Sequence, residues 1–258
     1  MGQVLIIPNR KNIKECMELA EQYNLGFEYN DFFRPDVLDD VTQTENIIEE
    51  YKKQNLPKVT TLHGAFFDVI PFSTDAKIRE ISDLRIEQSI KVARKIGANA
   101  VVFHTNYNPF LNSEEYIKGW INVNAAYWSR VLEQHSGINI YLENMFDTTP
   151  DIMEALSERL SVYPNYGVCL DYAHASLSKA VPEVWAKQLS RFIKHIHMND
   201  NDLVSDLHLA WGDGQINRSH FYQCVELYMK DATVLIETTP VESIIRSLEM
   251  LKKEGFIR

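Results

Sequence analysis

The sequence predicts an α/β protein, a closed (β/α)8 barrel of parallel strands, and three observations carry that expectation. Strand-like and helix-like stretches alternate along the whole chain. Its 258 residues match the roughly 250 typical of such barrels. No Gly-x-Gly-x-x-Gly follows the first strand, where Asn9-Arg10-Lys11-Asn12 stands instead, so an open dinucleotide-binding sheet loses its main support. Strict alternation implies right-handed parallel crossovers. No Gly/Ser linker, low-complexity segment or charge block interrupts the pattern, and residues 1–258 are expected to form one domain.

Val4-Leu5-Ile6-Ile7, stopped by Pro8, is an apolar run suited to a strand buried on both faces. A helix follows from about Asn12, a candidate N-cap, with Ile13, Met17, Ala20 and Tyr23 on one face. Leu25 to Tyr29 is the second strand, and Val59 to Leu62 the third, ending at His63. The longest helix runs from about Thr74 to Ile96, with Ser73 or Thr74 as cap, Ile86, Ile90 and Ala93 on its stripe and Gly97 as stop. Ala100 to Phe103 is a strand ending at His104, and a helix from about Ser113 to Gln134 stops before Gly137. Ile138 to Leu142 ends at Glu143. A helix near Asp151 to Leu160 leads to Tyr166–Leu170, ending at Asp171. The Pro182–Phe192 helix leads to Ile193-Lys194-His195-Ile196 and His197. A turn at Trp211-Gly212-Asp213-Gly214 precedes an Ile216–Met229 segment; the last strand, Ala232 to Ile236, ends at Glu237. Val241, Ile244, Ile245, Leu248 and Leu251 then keep helical register.

Apolar and charged fractions of 45% and 24% are ordinary for a soluble globular chain. No apolar run approaches the roughly 20 residues needed to span a bilayer. The start, Met1-Gly2-Gln3 before Val4, lacks the charged region and long apolar core of a signal peptide. Cys16, Cys169 and Cys224 are scattered and odd in number, which fits a reducing cytoplasm. A formal charge of −10 argues against holding nucleic acid through a basic surface, although carboxylates that bind divalent ions would offset part of it.

In such a barrel the carboxyl ends of the strands and the loops after them carry the chemistry. Closing the sheet would bring His63, His104, Glu143, Asp171, His197 and Glu237 around one rim, and the loops add His174, Asp206 and His208. These nitrogen and oxygen ligands suffice for two or three divalent ions, with zinc favoured by the imidazoles and manganese open to a carboxylate-rich subset. Paired ions would activate water for displacement, whereas one ion beside carboxylates would polarise a sugar carbonyl while a glutamate moves a proton. Glu143 and Glu237 are the strongest candidates, because a Glu ending an apolar strand is costly to bury without a cation or donor. His135 and His220 read as helix-end residues, and His195 shares the parity of His197 one layer deeper in the barrel.

With these residues in view, the chain resembles the xylose isomerase-like TIM barrels, which include sugar isomerases and epimerases and endonuclease IV. Leu142-Glu143-Asn144, Leu170-Asp171-Tyr172-Ala173-His174-Ala175, His197-Met198-Asn199-Asp200 and Ile236-Glu237-Thr238 are similar to the motifs of endonuclease IV, a trinuclear zinc enzyme cutting DNA beside abasic sites. That resemblance implies one zinc on His63, His104 and Glu143, a second shared by Glu143 and held by Asp171, His197 and Glu237, and a third on His174, Asp206 and His208. It further implies hydrolysis of a phosphate ester, with damaged DNA or a small phosphorylated compound as substrate and Glu143 and Glu237 at the chemistry. Where the family has His-Ala-Pro-Tyr, this chain has His63-Gly64-Ala65-Phe66, leaving Phe66 as the aromatic contact to substrate. The second-strand loop offers Arg34 as the other. Ketose 3-epimerases in the same superfamily use a Glu, Asp, His, Glu set, matched by Glu143, Asp171, His197 and Glu237, with the glutamates moving the proton and a sugar or sugar phosphate as substrate. Their arginine after the metal histidine is missing here: Leu203 stands in its place, and no Arg occurs between His197 and Arg218.

Overall fold

In the computed structural model, which describes residues 2–66 and 68–257, eight parallel strands close into a barrel in sequence order. They are β1 (Val4–Ile6), β2 (Gly26–Tyr29), β3 (Thr60–His63), β4 (Ala100–His104), β5 (Asn139–Glu143), β6 (Tyr166–Asp171), β7 (Ile193–Met198) and β8 (Thr233–Ile236). Closure is made where Val4, Leu5 and Ile6 pair with Val234, Leu235 and Ile236. Met1, Phe67 and Arg258 lie outside the described residues.

The helices are α1 (Ile13–Tyr23), α2 (Pro35–Asp39), α3 (Val41–Lys52), α4 (Ala76–Ile96), α5 (Glu114–Gln134), α6 (Asp151–Leu160), α7 (Tyr172–Leu177), α8 (Pro182–Gln188), α9 (Arg218–Tyr228) and α10 (Val241–Lys253). Several boundaries differ from the sequence expectation for local reasons. Asn12 stands at the N-cap of α1 but makes no side-chain cap bond, because a 3-10 turn, Arg10–Asn12, precedes it and is capped by Asn9, which accepts from Lys11 N at 3.0 Å. Asp75 displaces Ser73 and Thr74 as the cap of α4, accepting from Lys77 N at 2.8 Å. α5 keeps its expected bounds, capped by Ser113 and ending at Gln134, with His135 as its C-cap. The helix expected to reach Phe192 stops at Gln188. Alternation requires a helix between β2 and β3 without fixing its bounds; α2 and α3 fill that interval, α3 being capped by Asp40.

The apolar core divides as strand parity requires. A large cluster lies between sheet and helices, while Leu5, Ile7 and Leu235, packed on Val59, form a small separate cluster inside the barrel. The remaining interior mixes Ala100, Val102, Tyr141 and Cys169 with buried polar side chains. Register places Glu143 beside His104 and Asp171 beside His197. Those pairs, at the carboxyl ends of adjacent strands, set the floor of the barrel mouth.

Candidate metal centre

Glu143 is the hub. His63 Nε2 and His104 Nε2 lie 3.6 and 3.4 Å from its Oε2, and His197 Nδ1 and His174 Nδ1 lie 3.2 and 3.7 Å from its Oε1. Glu237 Oε1 is 3.4 Å from the same His197 Nδ1, and its Oε2 accepts from Asn199 Nδ2 at 3.2 Å. At the rim, Asp206 Oδ2 takes His174 Nε2 and His208 Nε2 at 3.2 and 3.1 Å. At the mouth the donors form three overlapping groups: His63, Glu143, His197 and Glu237; Glu143, Asp171 and His174; and His174, Asp206 and His208; a fourth group, Cys169, His195 and His197, shares His197 with the first of these. Glu143 joins the first two, and His174 joins the second and third.

Local folding aims these side chains. His63 Nδ1 donates to Gly64 O at 3.0 Å, His174 Nδ1 to Asn144 O at 2.8 Å and His208 Nδ1 to Glu237 O at 3.2 Å. With one ring nitrogen tied to a carbonyl, each imidazole turns its Nε2 to the mouth. Asn144 also clamps Asp171, donating to its carbonyl at 3.0 Å and accepting from its amide at 2.9 Å. Asp171 Oδ1 in turn accepts from His174 N at 2.6 Å, capping α7. The cap and ligand readings of Asp171 are therefore compatible, because its Oδ2 is left over.

The loop bearing Asp206 and His208 is held by Asp200. Its Oδ1 accepts from Asn201 N and Ile216 N at 2.9 and 3.0 Å, and its Oδ2 from Gly212 N at 3.0 Å. A Cβ at Gly214 would sit 2.4 Å from Asp200 Oδ1, so the loop closes only over glycine.

The donor set fits divalent cations. Both oxygens of Glu143, Asp171 Oδ2 and both ring nitrogens of His197 are buried with no hydrogen-bond partner. Buried polar atoms are rarely left so without a reason. The charges are strongly coupled. Burial works to raise Glu143, but His197 and His104 hold it well below the usual carboxylate range. Glu237, with His197 as its chief partner, is likewise drawn down against burial, to about 2. Burial lifts Asp171 to about 8, reinforced by Glu237 and Glu143. Against burial, neighbouring carboxylates push His208 up to about 10 and His174 well above the ordinary imidazole value.

Two adjoining cavities open on this centre. One of about 510 Å³ is lined by His63, His104, Glu143, His208 and Glu237 together with Phe66. The second, about 800 Å³, shares Phe66, His104, His174 and Asp206 and extends along Tyr107 and Phe110. Phe66 packs against His63 and His104, ring centroids 5.1 and 4.8 Å away. Arg34, the other expected substrate contact, lines neither cavity. Its side chain is 62% exposed and forks onto Asp36 at 2.9 and 2.6 Å, because the two flank the start of α2.

Four residues escape a reading of the sequence: Asn144, Asn199, Asp200 and Glu28. The first three follow a ligand by one to three positions, a spacing that could have marked them as supports. Glu28 stands in the middle of an apolar strand, and the argument applied to Glu143 and Glu237 could have found it. It is fully buried, with Oε1 3.2 Å from His197 Nε2.

Residues 10–254 match the xylose isomerase-like TIM barrel family. An uncharacterized protein of Methanocaldococcus jannaschii, MJ1311, is 27% identical over 74% of this chain and 68% of its own length. Among solved structures, a D-tagatose 3-epimerase-like protein aligns with a TM-score of 0.76 at 22% identity, over 97% of this chain and 96% of its own. The TTHB071 protein from Thermus thermophilus, in crystals soaked with ZnCl2, aligns with the same score and identity over 99% of both chains. No helix among the described residues is long and apolar enough to cross a membrane. The closed eight-strand barrel and the match over nearly its full length place the chain in the xylose isomerase-like TIM barrel family.

Proposed function

We propose that this chain is a divalent-metal-dependent isomerase or epimerase acting on a sugar or a similar polyhydroxy carbonyl compound, with Glu143 and Glu237 as the proton-transfer groups. The observation that carries the reading is the pairing of these carboxylates across one imidazole: Glu143 Oε1 and Glu237 Oε1 lie 3.2 and 3.4 Å from His197 Nδ1. Epimerisation beside a carbonyl needs one base to take the carbon-bound proton and an acid to return one to the opposite face. Two carboxylates bracketing one cavity meet that need. Glu143, Asp171, His197 and Glu237 would hold the ion, which when bound polarises the substrate carbonyl and acidifies the neighbouring C–H. Glu143 rises from the floor and Glu237 stands at the wall, steadied by Asn199. Phe66 and Phe33, rings 5.0 Å apart, would cover the substrate and keep water from the exchanging proton. Among the described residues, neither cavity is lined by a lysine or arginine, which favours a neutral hydroxylated substrate over a phosphorylated one. The likeness to a D-tagatose 3-epimerase-like protein supports the same class.

A second reading, hydrolysis of a phosphate ester at two or three zinc ions, is favoured by the third donor group. A one-ion epimerase has no need of His174 and His208 meeting on Asp206 Oδ2, nor of His63 and His104 both facing Glu143 Oε2. The experiment that separates the two loads the protein with zinc, manganese or cobalt. It follows solvent deuterium entering a ketose panel beside turnover of phosphomonoesters, phosphodiesters and an abasic-site oligonucleotide. Metal-dependent deuterium exchange that disappears in Glu143→Gln is expected. Phosphoester turnover without exchange into any ketose replaces the first reading with the second, and an ion count near three per chain would accompany it.

A further inference from the structure

We propose that Glu28 is a positioning residue of the metal centre, fixing the ring of His197 so that Nδ1 is its ligand atom. The inference rests on His197 holding a cation and is independent of which reaction follows. Among His63, His174, His197 and His208, His197 is the one whose ring nitrogen turned away from the mouth faces a carboxylate and not a backbone carbonyl. The rings of His63, His174 and His208 are oriented by backbone carbonyls and present Nε2. His197 is turned the other way: Nε2 faces Glu28 Oε1 at 3.2 Å, and Nδ1 faces Glu143 and Glu237. Glu28 comes from β2, not adjacent to β7 around the barrel, so its side chain reaches across the interior.

Glu28 is itself held. Thr61 Oγ1 donates to its Oε2 at 2.7 Å, and His195 Nε2 lies 3.2 Å from the same oxygen. The far nitrogen of His195 meets Thr233 Oγ1 at 2.6 Å, and the ring of Tyr141 stacks over it at 6.2 Å. One carboxylate oxygen is therefore occupied by fixed partners, and the other is left to His197 alone. An Nε2–H donated to this oxygen puts the lone pair of His197 on Nδ1, at the mouth. A full negative charge behind the ring also strengthens it as a donor more than a neutral carbonyl does. A fully dry glutamate is expensive unless it is bonded in this way.

The test uses cobalt(II) alone as probe, with the full chain freed of metal, and compares wild type, Glu28→Gln and Thr61→Val. Each protein is first shown to be folded by circular dichroism and thermal melting without metal. Loss of such a carboxylate behind a ligand histidine commonly costs about 10–100-fold in metal affinity, and that weakening is expected in Glu28→Gln. Its cobalt absorption bands should shift as the ligand field changes, a signature that a packing role alone would not produce. Thr61→Val, which frees Glu28 without removing it, is expected to weaken binding by a smaller factor in the same direction. Cobalt bound by Glu28→Gln with wild-type affinity and spectrum overturns the inference. Should Glu28→Gln not fold, unchanged cobalt binding in Thr61→Val overturns it equally. No cobalt taken up by wild type removes the metal reading and this inference together, whereas equal uptake by wild type and variants removes this inference alone.

Discussion

Two polar tiers sit one strand step apart inside the same barrel, and both are dry. The upper holds Glu143, Asp171, His197 and Glu237; the lower holds Glu28, Thr61, His195 and Thr233. Carboxylates and imidazoles occur in each, so burial of charge does not distinguish them. Completion does. In the lower tier Thr61, Glu28, His195 and Thr233 form a continuous chain of hydrogen bonds. Its single spare acceptor, Glu28 Oε1, points up at His197. In the upper tier both Glu143 oxygens and Asp171 Oδ2 have no donor at all. A buried polar tier that closes on itself is a support, and one that leaves lone pairs converging is a binding site.

The sharpest break between the tiers is functional. Glu143→Gln keeps volume and removes the charge that joins two donor groups. Turnover is expected to fall by about 10²–10⁴-fold, the usual worth of a positioned proton-transfer group. Elemental analysis should show lost metal in the same protein. Wild-type activity and metal content in that variant would remove Glu143 from the centre of the site.

The lower tier should respond in stability instead. His195→Ala leaves Glu28 Oε2 with Thr61 alone and Thr233 Oγ1 without its ring partner. Leaving a buried hydrogen-bonding group without its partner costs about 1–3 kcal/mol, to be read from urea unfolding of the metal-free protein. A loss confined to activity, with the unfolding midpoint unmoved, would merge the two tiers into one functional unit.

Chelation separates them again. A ligand held at about 100 times its dissociation constant adds about 2.7 kcal/mol to stability. For a chain of this length that amounts to about 5–10 °C in Tm. Removing metal should lower Tm by that order and leave the metal-free fold intact, since the lower tier and the apolar clusters need no ion. Unfolding on chelation would show that the upper tier is structural.

The same contrast explains what can be read from sequence. The barrel, its strand order and the gathering of six of the nine candidate ligands follow from one rule, a ligand type at the carboxyl end of an apolar run, and His174, Asp206 and His208 follow from the loops after those ends. His195 is legible by parity with His197. Glu28 is legible as a carboxylate inside an apolar strand, but its role is not, because that depends on reaching across the interior to β7, and nothing local to β2 announces that partner. Helix α3 carries a readable stripe, Thr44, Ile47, Ile48 and Tyr51 at i, i+3, i+4 and i+7, opened by the polar and β-branched Val41-Thr42-Gln43-Thr44, which mutes it. Arg34 misleads because a nearer carboxylate, Asp36, takes its guanidinium. Local competition of that kind leaves no mark in a motif.

The smallest effect is a proton count, and it still divides the tiers. Without metal, burial lifts Asp171 to about 8, helped by Glu237 and Glu143, against about 3.9 in an unfolded chain. Between those values the folded chain keeps a proton that the unfolded chain has released. Stability of the metal-free protein arising from this group therefore falls as pH rises from about 4 to about 8 and levels off above. A cation at Asp171 requires the carboxylate, so metal uptake below pH 8 must eject that proton. Burial pushes His195 down, so it holds a proton less readily than an ordinary imidazole. Calorimetric titration with metal, in buffers of different ionisation enthalpy, should therefore show release smaller by about one proton per chain at pH 9 than at pH 6. Equal release at both pH values would mean that Asp171 is already ionised before the metal arrives. Its spare oxygen would then be balanced by the protonated His174 beside it, and the upper tier would be as closed as the lower.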